Sequence, residues 1–300
     1  MKASSRAIVL AAVTVFSWST VATAFKIALA SMGVFEMVFV SVMAALAVHT
    51  VWLTVERGWG ELRRLPAALW LRFALLGLIA PVSYYFVLFE AYDYLPAQMA
   101  QPINYVWPII LSLLIAVIDH KPIPAAKYVG MAVSLAGVTC ISLGGGMEGH
   151  VSVAGIAMAI GSALLWALYW IVNDSLKSSV SETASLFLTF FFGALYLVVI
   201  SLFRPLEPVS AQGLLAGCYI GAFEMGIPFI CFGIAIRTTD NPALVNQLCF
   251  LAPFLSLFFV AMIVGETILP STYIGLTLIV GGILYNQYLA GRKFRRLLPH

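Results

Sequence analysis

The sequence predicts an all-α membrane protein of ten transmembrane helices, arranged as two five-helix repeats of opposite orientation. Three observations carry that prediction. Of the 300 residues, 62% are hydrophobic and only 10% are charged, whereas an ordinary soluble domain carries about 25% charged residues. Such a chain cannot clothe a surface in water, while lipid asks for an apolar one. Ten apolar runs of spanning length follow one another with short connectors, and residues recur in order at an offset near 145.

A helix crossing hydrocarbon needs about 20 mostly apolar residues. The first such run, 7–29, follows Lys2 and Arg6. Ala22-Thr23-Ala24 resembles a leader cleavage site, but the apolar run continues to Ala30 and nine more follow, so an uncleaved first span is the reading. The turn Ser31-Met32-Gly33 leads into 35–55. The third run, 69–92, stops before Leu95-Pro96, and 97–118 stops before Lys121-Pro122-Ile123-Pro124. The fifth, 125–144, ends at Gly144-Gly145-Gly146, read as a flexible outer loop because no Lys-Ser/Thr follows to make it a phosphate cradle. Then come 154–174, 182–203 (closed by Arg204-Pro205) and 211–236. The last two are 242–264, opened by Asn241-Pro242, and 271–291. These connectors leave no room for a soluble domain.

Orientation follows from the Lys/Arg bias of short loops. With the N-terminus in the cytoplasm, the inner loops hold Lys2, Arg6, Arg57, Arg63, Arg64, Arg72, Lys121, Lys127, Lys177, Arg237, Arg292, Lys293, Arg295 and Arg296. The outer loops hold only Lys26 and Arg204, which completes the 16 basic residues. Both termini are therefore expected in the cytoplasm, in a cell (inner) membrane, and the span count is expected to be even. The net charge of +3 is too small to suggest nucleic acid. Cys140, Cys218, Cys231 and Cys249 sit singly inside apolar runs, which suits buried filler and indicates neither metal nor disulfide.

The halves align as 1–146 and 147–300. Pro108 matches Pro253, Gly130 matches Gly275 and Gly137 matches Gly282, all at 145; Glu36 matches Glu182 at 146, and Trp18 matches Trp166 at 148. Five helices is an odd number, so the second half must enter the membrane from the opposite side. Inverted repeats offer two packings of similar energy, one open to each face, with a solute held near the midplane. A duplicated bundle without a transport role is the competing interpretation.

Two five-helix halves with short loops, the prolines at 108 and 253, and Gly265-Glu266 closing the ninth run resemble the drug/metabolite transporter superfamily, specifically its EamA-type members. That resemblance covers nearly the whole chain. More narrowly, Trp18-Ser19-Thr20 and Asn104-Tyr105-Val106-Trp107-Pro108 are similar to the aromatic amino-acid exporter (YddG-like) branch. The first half departs from the pattern, with Asp119-His120-Lys121 where the second has Gly265-Glu266, so no role of that glutamate carries over to it. The resemblance implies a ten-helix bundle that exports amino acids, aromatic ones above all, or related metabolites.

Polar groups facing hydrocarbon are costly, so a solute site must come from side chains facing an interior gap. Gly77, Pro81, Tyr85 and Leu88 share one face of the third run, and Glu224, Pro228 and Phe232 form the matching face of the eighth. A proline frees the carbonyl four residues back, which something must satisfy; packing alone also uses such bends. The fourth run carries Gln98, Gln101, Asn104 and Tyr105 on one stripe. Its counterpart has Asn246 and Gln247. Amides both donate and accept, which suits an ammonium-carboxylate solute; interhelical hydrogen bonding is the alternative, and for Gln98, near the membrane edge, the preferred one.

Phe, Tyr and Trp make up 39 residues, most of which must face lipid or form interfacial belts, as Trp52, Trp59 and Trp70 suit. Trp18 and Trp166 differ in lying mid-span at matched positions, and Trp166, Trp170 and Asn173 share a face that could stack on an aromatic solute. Glu224 lies near mid-span, where an unpaired charge is expensive; it is protonated, paired or wetted, and is either a proton or ammonium site or a hydrogen-bonded neutral carboxyl. Lys26 and Glu90 fall at the outer ends of their spans, where a structural pair or snorkelling is expected. His49, a lone histidine, reads as structural.

Histidines 49, 120, 150 and 300 are far apart, with no H-E-x-x-H motif and no Walker loop. The expectation is therefore a non-enzymatic secondary carrier with no cofactor, metal or nucleotide, whose partners are a small-molecule substrate and the lipid bilayer. A membrane-embedded enzyme or a non-transporting scaffold is the alternative. The expected solute contacts are Trp18, Pro81, Tyr85, Gln101, Asn104, Tyr105, Trp166, Trp170, Pro228 and Gln247, with Glu224 as the charge site.

Overall fold

Ten helical segments follow the ten apolar runs in a computed structural model that describes residues 3–118, 120, 123–145, 152–174, 180–239 and 242–297. They are α1 (Ala3–Leu29), α2 (Val34–Val55), α3 (Ala67–Tyr94), α4 (Ala97–Ile118), α5 (Ala125–Gly145), α6 (Val153–Asp174), α7 (Glu182–Phe203), α8 (Ala211–Thr238), α9 (242–264) and α10 (Pro270–Leu297). A short helix, Trp59–Leu62, lies between α2 and α3, and no strand occurs among the described residues. By length and composition α1 to α8 are each able to cross a membrane, and Cys249–Val264 of α9 is a shorter apolar helix. Their outward faces are apolar, with Leu71, Leu215 and Val117 each 70% exposed or more. That is the surface lipid requires.

Local chemistry sets the helix ends. Ser210 and Ser152 accept from the backbone N–H groups of Gly213 and Gly155, both at 3.0 Å, which caps α8 and α6. Gly265 closes α9 in the left-handed region at φ +81, where only glycine is free of strain. Gly144 departs from the expected flexible loop. It lies in the last turn of α5, and a Cβ there would collide with Ser271 of α10, so its small size serves helix contact. Gly146 lies outside the described residues.

The halves exchange partners. Helix α1 packs along α8 and α9, and in return α6 packs along α3 and α4; α2 meets α7, and α5 meets α10 in the most extensive interface. The α5–α10 seam displays the inversion residue by residue. A Cβ on Gly137 would lie 2.5 Å from the Gly275 carbonyl, and one on Gly130 would collide with Gly282 and Asn286. Between them Ser134 Oγ donates to the Ile279 carbonyl at 3.0 Å. As the first half runs up, the second runs down. Residue 134 touches its own counterpart at an offset of 145, so the pseudo-twofold axis passes through that contact. Two groups related by this axis result: α1, α2, α8 and α9 on one side, and α3, α4, α6 and α7 on the other.

Candidate functional site

The gap between these groups is lined by two helices whose regular hydrogen bonding fails at mid-span. In α3 a wide turn, Leu78–Ser83, contains Ala80 at φ −145, ψ 124 and the cis Ala80–Pro81 bond. In α8 the corresponding turn is Gly221–Gly226, after which Gly226 adopts φ −98, ψ −92. Pro228 has no N–H for the Glu224 carbonyl, and hydrocarbon offers no donor in its place. The donor comes from α1: Trp18 Nε1–H reaches the Glu224 carbonyl at 3.2 Å. Next to it, His49 Nε2 of α2 meets the Met225 carbonyl at 3.1 Å, and Thr14 Oγ1 donates to the Pro228 carbonyl at 3.3 Å. Broken helices at the midplane of inverted repeats are the common construction of solute sites in carriers.

On the gap side of these breaks stand one carboxyl, two phenols and an amide. Tyr85 Oη donates to Glu224 Oε1 at 3.4 Å, joining α3 to α8. Tyr84 Oη donates to Asn104 Oδ1 at 3.4 Å; Asn104 Nδ2 donates to Ser162 Oγ at 2.8 Å, and that hydroxyl donates to the Ala159 carbonyl. An aromatic wall flanks this polar strip. Trp166 stacks on Tyr84 with centroids 4.7 Å apart and on Tyr169 at 5.0 Å, with Phe229 at 5.9 Å. Trp170 meets Trp166 edge-on at 6.1 Å and stacks on Trp107 at 6.2 Å. Trp166, Trp170, Tyr105, Phe229 and Glu224 are half-buried, so the wall is not sealed into core. Chemically the gap offers flat faces for a ring, a carboxyl for a cation, and amide and phenol groups for a polar head. Among the described residues no cluster of His, Cys, Asp and Glu could hold a metal ion.

Most residues singled out from sequence lie around this gap. Tyr85, Asn104, Trp166, Trp170 and Glu224 converge; Pro81 and Pro228 are buried at the breaks; Gln101 is buried on α4; Tyr105 meets Phe250 of α9 at 6.5 Å. Trp18 reaches the site from α1 with its N–H engaged by α8 and its ring against Phe229 and Phe232, which leaves only a ring face for a solute. Gln247 is exposed on α9, and the side chain of Asn246 lies outside the described residues. Spacing overlooked Tyr84, Tyr169 and Phe229. The break at Ala80 shifts the face counted from Gly77 and Pro81, and in the regular helix that follows it the adjacent Tyr84 and Tyr85 are both buried. Gln98, at the end of α4, bonds to the Thr267 carbonyl, the Leu269 N–H and the Thr272 hydroxyl, which are interhelical links.

A model of the EamA-like transporter family matches the chain twice, over residues 5–143 and 153–286. Among curated sequences, the uncharacterized transporter YvbV of Bacillus subtilis is 25% identical over 194 residues, covering 64% of this chain and 63% of that one. An uncharacterized transporter of Clostridium kluyveri is 26% identical over 180 residues, 58% and 57% of the two chains, so the match spans a little under two thirds of these two relatives. The aromatic amino acid exporter YddG of Ancylobacter novellus is 27% identical over 246 residues, 79% of this chain and 82% of the relative. A solved crystal structure superposes with a TM-score of 0.66 at 24% identity, covering 96% of this chain and 99% of the other, a likeness of fold.

Proposed function

The chain belongs to the EamA-like transporter family, and from that premise we propose that it exports small organic metabolites, amino acids with an aromatic preference, by alternating access. The repeats divide at 146/147, between the two matched stretches. Both termini lie in the cytoplasm of a cell (inner) membrane, as the basic loops favour. The observation that carries the substrate class is the half-buried aromatic wall that Trp166 forms with Tyr84, Tyr169 and Phe229, with the Glu224–Tyr85 pair and Asn104 alongside. An aromatic amino acid has a flat ring, an ammonium and a carboxylate. The wall takes the ring, Glu224 the ammonium, and the Asn104 and Tyr84 groups the carboxylate end. Rocking of the two four-helix groups about the α5–α10 seam exchanges the open face, and net flow follows the gradients without a nucleotide. The YddG relative points to the same substrate class.

The test uses purified protein in lipid vesicles loaded with radiolabelled amino acids. Phenylalanine or tryptophan should move down a gradient faster than alanine. Trp166→Ala should slow phenylalanine by about tenfold, the equivalent of one lost aromatic contact and its burial, with little change for alanine. Equal losses for both solutes would remove the aromatic preference. Chemical conversion without net movement would replace a carrier with an enzyme.

A further inference from the structure

The face bearing the α3–α4 turn is shut, and it is shut by two oppositely charged side chains acting on two helix ends. Lys26, at the end of α1, donates from Nζ to the Tyr92 carbonyl and to the Leu95 carbonyl, the latter at 2.7 Å. Glu266, just past α9, accepts from the Ala97 N–H at 2.8 Å and the Gln98 N–H at 3.2 Å. An ammonium therefore caps the carbonyl end of α3 and a carboxylate caps the amide end of α4, each where the helix dipole favours that sign. Both contacts cross between the two four-helix groups. Beneath them the α1–α3 seam is filled by Phe25, Phe89 and Tyr92, none more than 2% exposed, with Phe25 4.9 Å from each of the other rings.

The pseudo-twofold axis supplies an internal control. The offsets of 148 for α1 to α6 and 147 for α3 to α8 place Asn173, Ile236 and Thr239 opposite Phe25, Phe89 and Tyr92, and these three are half-exposed. By the same correspondence Lys26 maps to Asp174 and Glu266 maps to Lys121; those side chains lie outside the described residues, but their signs are reversed. An aspartate cannot cap carbonyls and a lysine cannot cap amides. The same pair of caps therefore has no counterpart by sequence at the other face, where the charged link between the groups is a different one, Arg237 of α8 to Glu182 of α7 at 2.6 Å.

We infer that Lys26 and Glu266 are a gate, a two-point latch across the Lys26 face, and that the empty protein rests with this face closed. Which compartment that face meets rests on the orientation proposed above, where it is the outer one and the latch guards release.

The latch can be read without transport. In a background with Cys140, Cys218, Cys231 and Cys249 replaced by serine or alanine, spin labels at Ala30→Cys and Val153→Cys sit on exposed positions of the two groups at this face. Pulsed dipolar spectroscopy in nanodiscs should give one short distance. Glu266→Gln and Lys26→Gln should each raise a longer-distance population by about tenfold, the scale of one lost charge-assisted contact, and Glu266→Asp should restore the short distance. An unchanged distribution in either Gln variant overturns the gate, as does an Asp variant that behaves like Gln. Monodisperse elution selects the samples, and the two Gln variants test the latch independently if one misfolds. Because no solute is added, a failure here is separable from a failure of the flux assay.

Discussion

Substituting one glycine in the α5–α10 seam should cost more stability than any change of similar size elsewhere on these helices. A Cβ at position 137 would lie 2.5 Å from the Gly275 carbonyl oxygen and 2.9 Å from both the Ile279 nitrogen and its Cγ1. Two of those three obstacles are backbone, so no rotamer change relieves them. Contact at roughly 3.5 Å is restored only if the helices part by about 1 Å along a seam packed at native density. Overpacking of this kind costs about 1–3 kcal/mol, and backbone on both sides argues for the upper end. Alanine regains about 1 kcal/mol of helix propensity over glycine, so Gly137→Ala should lose about 2 kcal/mol net. Gly281 is the matched control, on the same partner helix with nothing within 4 Å of its added carbon. Gly281→Ala should gain up to about 1 kcal/mol. The difference of about 3 kcal/mol corresponds to a gap in melting temperature on the order of 5–10 °C. Fluorescence-detected size exclusion after heating measures it on unpurified protein in detergent. If the two variants melt within about 1 °C of each other, the seam is not close-packed and the position of the pseudo-twofold axis is wrong.

Two further outcomes follow from the site. Trp18→Phe keeps a ring against Phe229 and Phe232 but withdraws the indole donor from the Glu224 carbonyl; melting should fall by the equivalent of about 1–3 kcal/mol for an orphaned buried acceptor, and a variant as stable as the parent would mean another group serves that carbonyl. Glu224→Gln preserves the Tyr85 contact geometry and deletes the ionisable group. Vesicles carrying it, with a pH difference imposed across the membrane, should lose any response of flux to that difference. A response equal to the parent's would remove Glu224 from proton movement and leave it a solute contact.

Much of this architecture was legible because membrane physics makes loud signals. Ten apolar runs with turn formers between them became ten helical segments, and the matches at Gly130, Gly137, Gly275 and Gly282 became the α5–α10 seam. The prolines at 81 and 228 announced freed carbonyls. Which side chains would serve them was not legible, since Trp18 and His49 act across 206 and 176 residues of sequence. The breaks also undid the spacing argument they came from: once Ala80 leaves helical geometry, a stripe counted through it cannot say that Tyr84 as well as Tyr85 lines the gap. Gln247 illustrates the opposite hazard. Its residue type and matched position suggested the gap, and on α9 it is exposed where the other amides, Gln101 and Asn104, are buried. The latch was half visible, because the contrast between Gly265-Glu266 and Asp119-His120-Lys121 marked a broken symmetry whose meaning depended on what Glu266 touches.

The donors lent to α8 have a mechanical corollary. Thr14, Trp18 and His49 tie α1 and α2 to the kinked middle of α8 through its Pro228, Glu224 and Met225 carbonyls. Pulling these three helices apart would break all three contacts and strand the Glu224 carbonyl, which favours their travelling as a single plate. The cheap sliding surface is then the opposing one, where α8 meets α3 through a long phenol–carboxyl contact that a passing solute can replace. Stiffness on one side of the kink and slack on the other would make the kink itself the pivot.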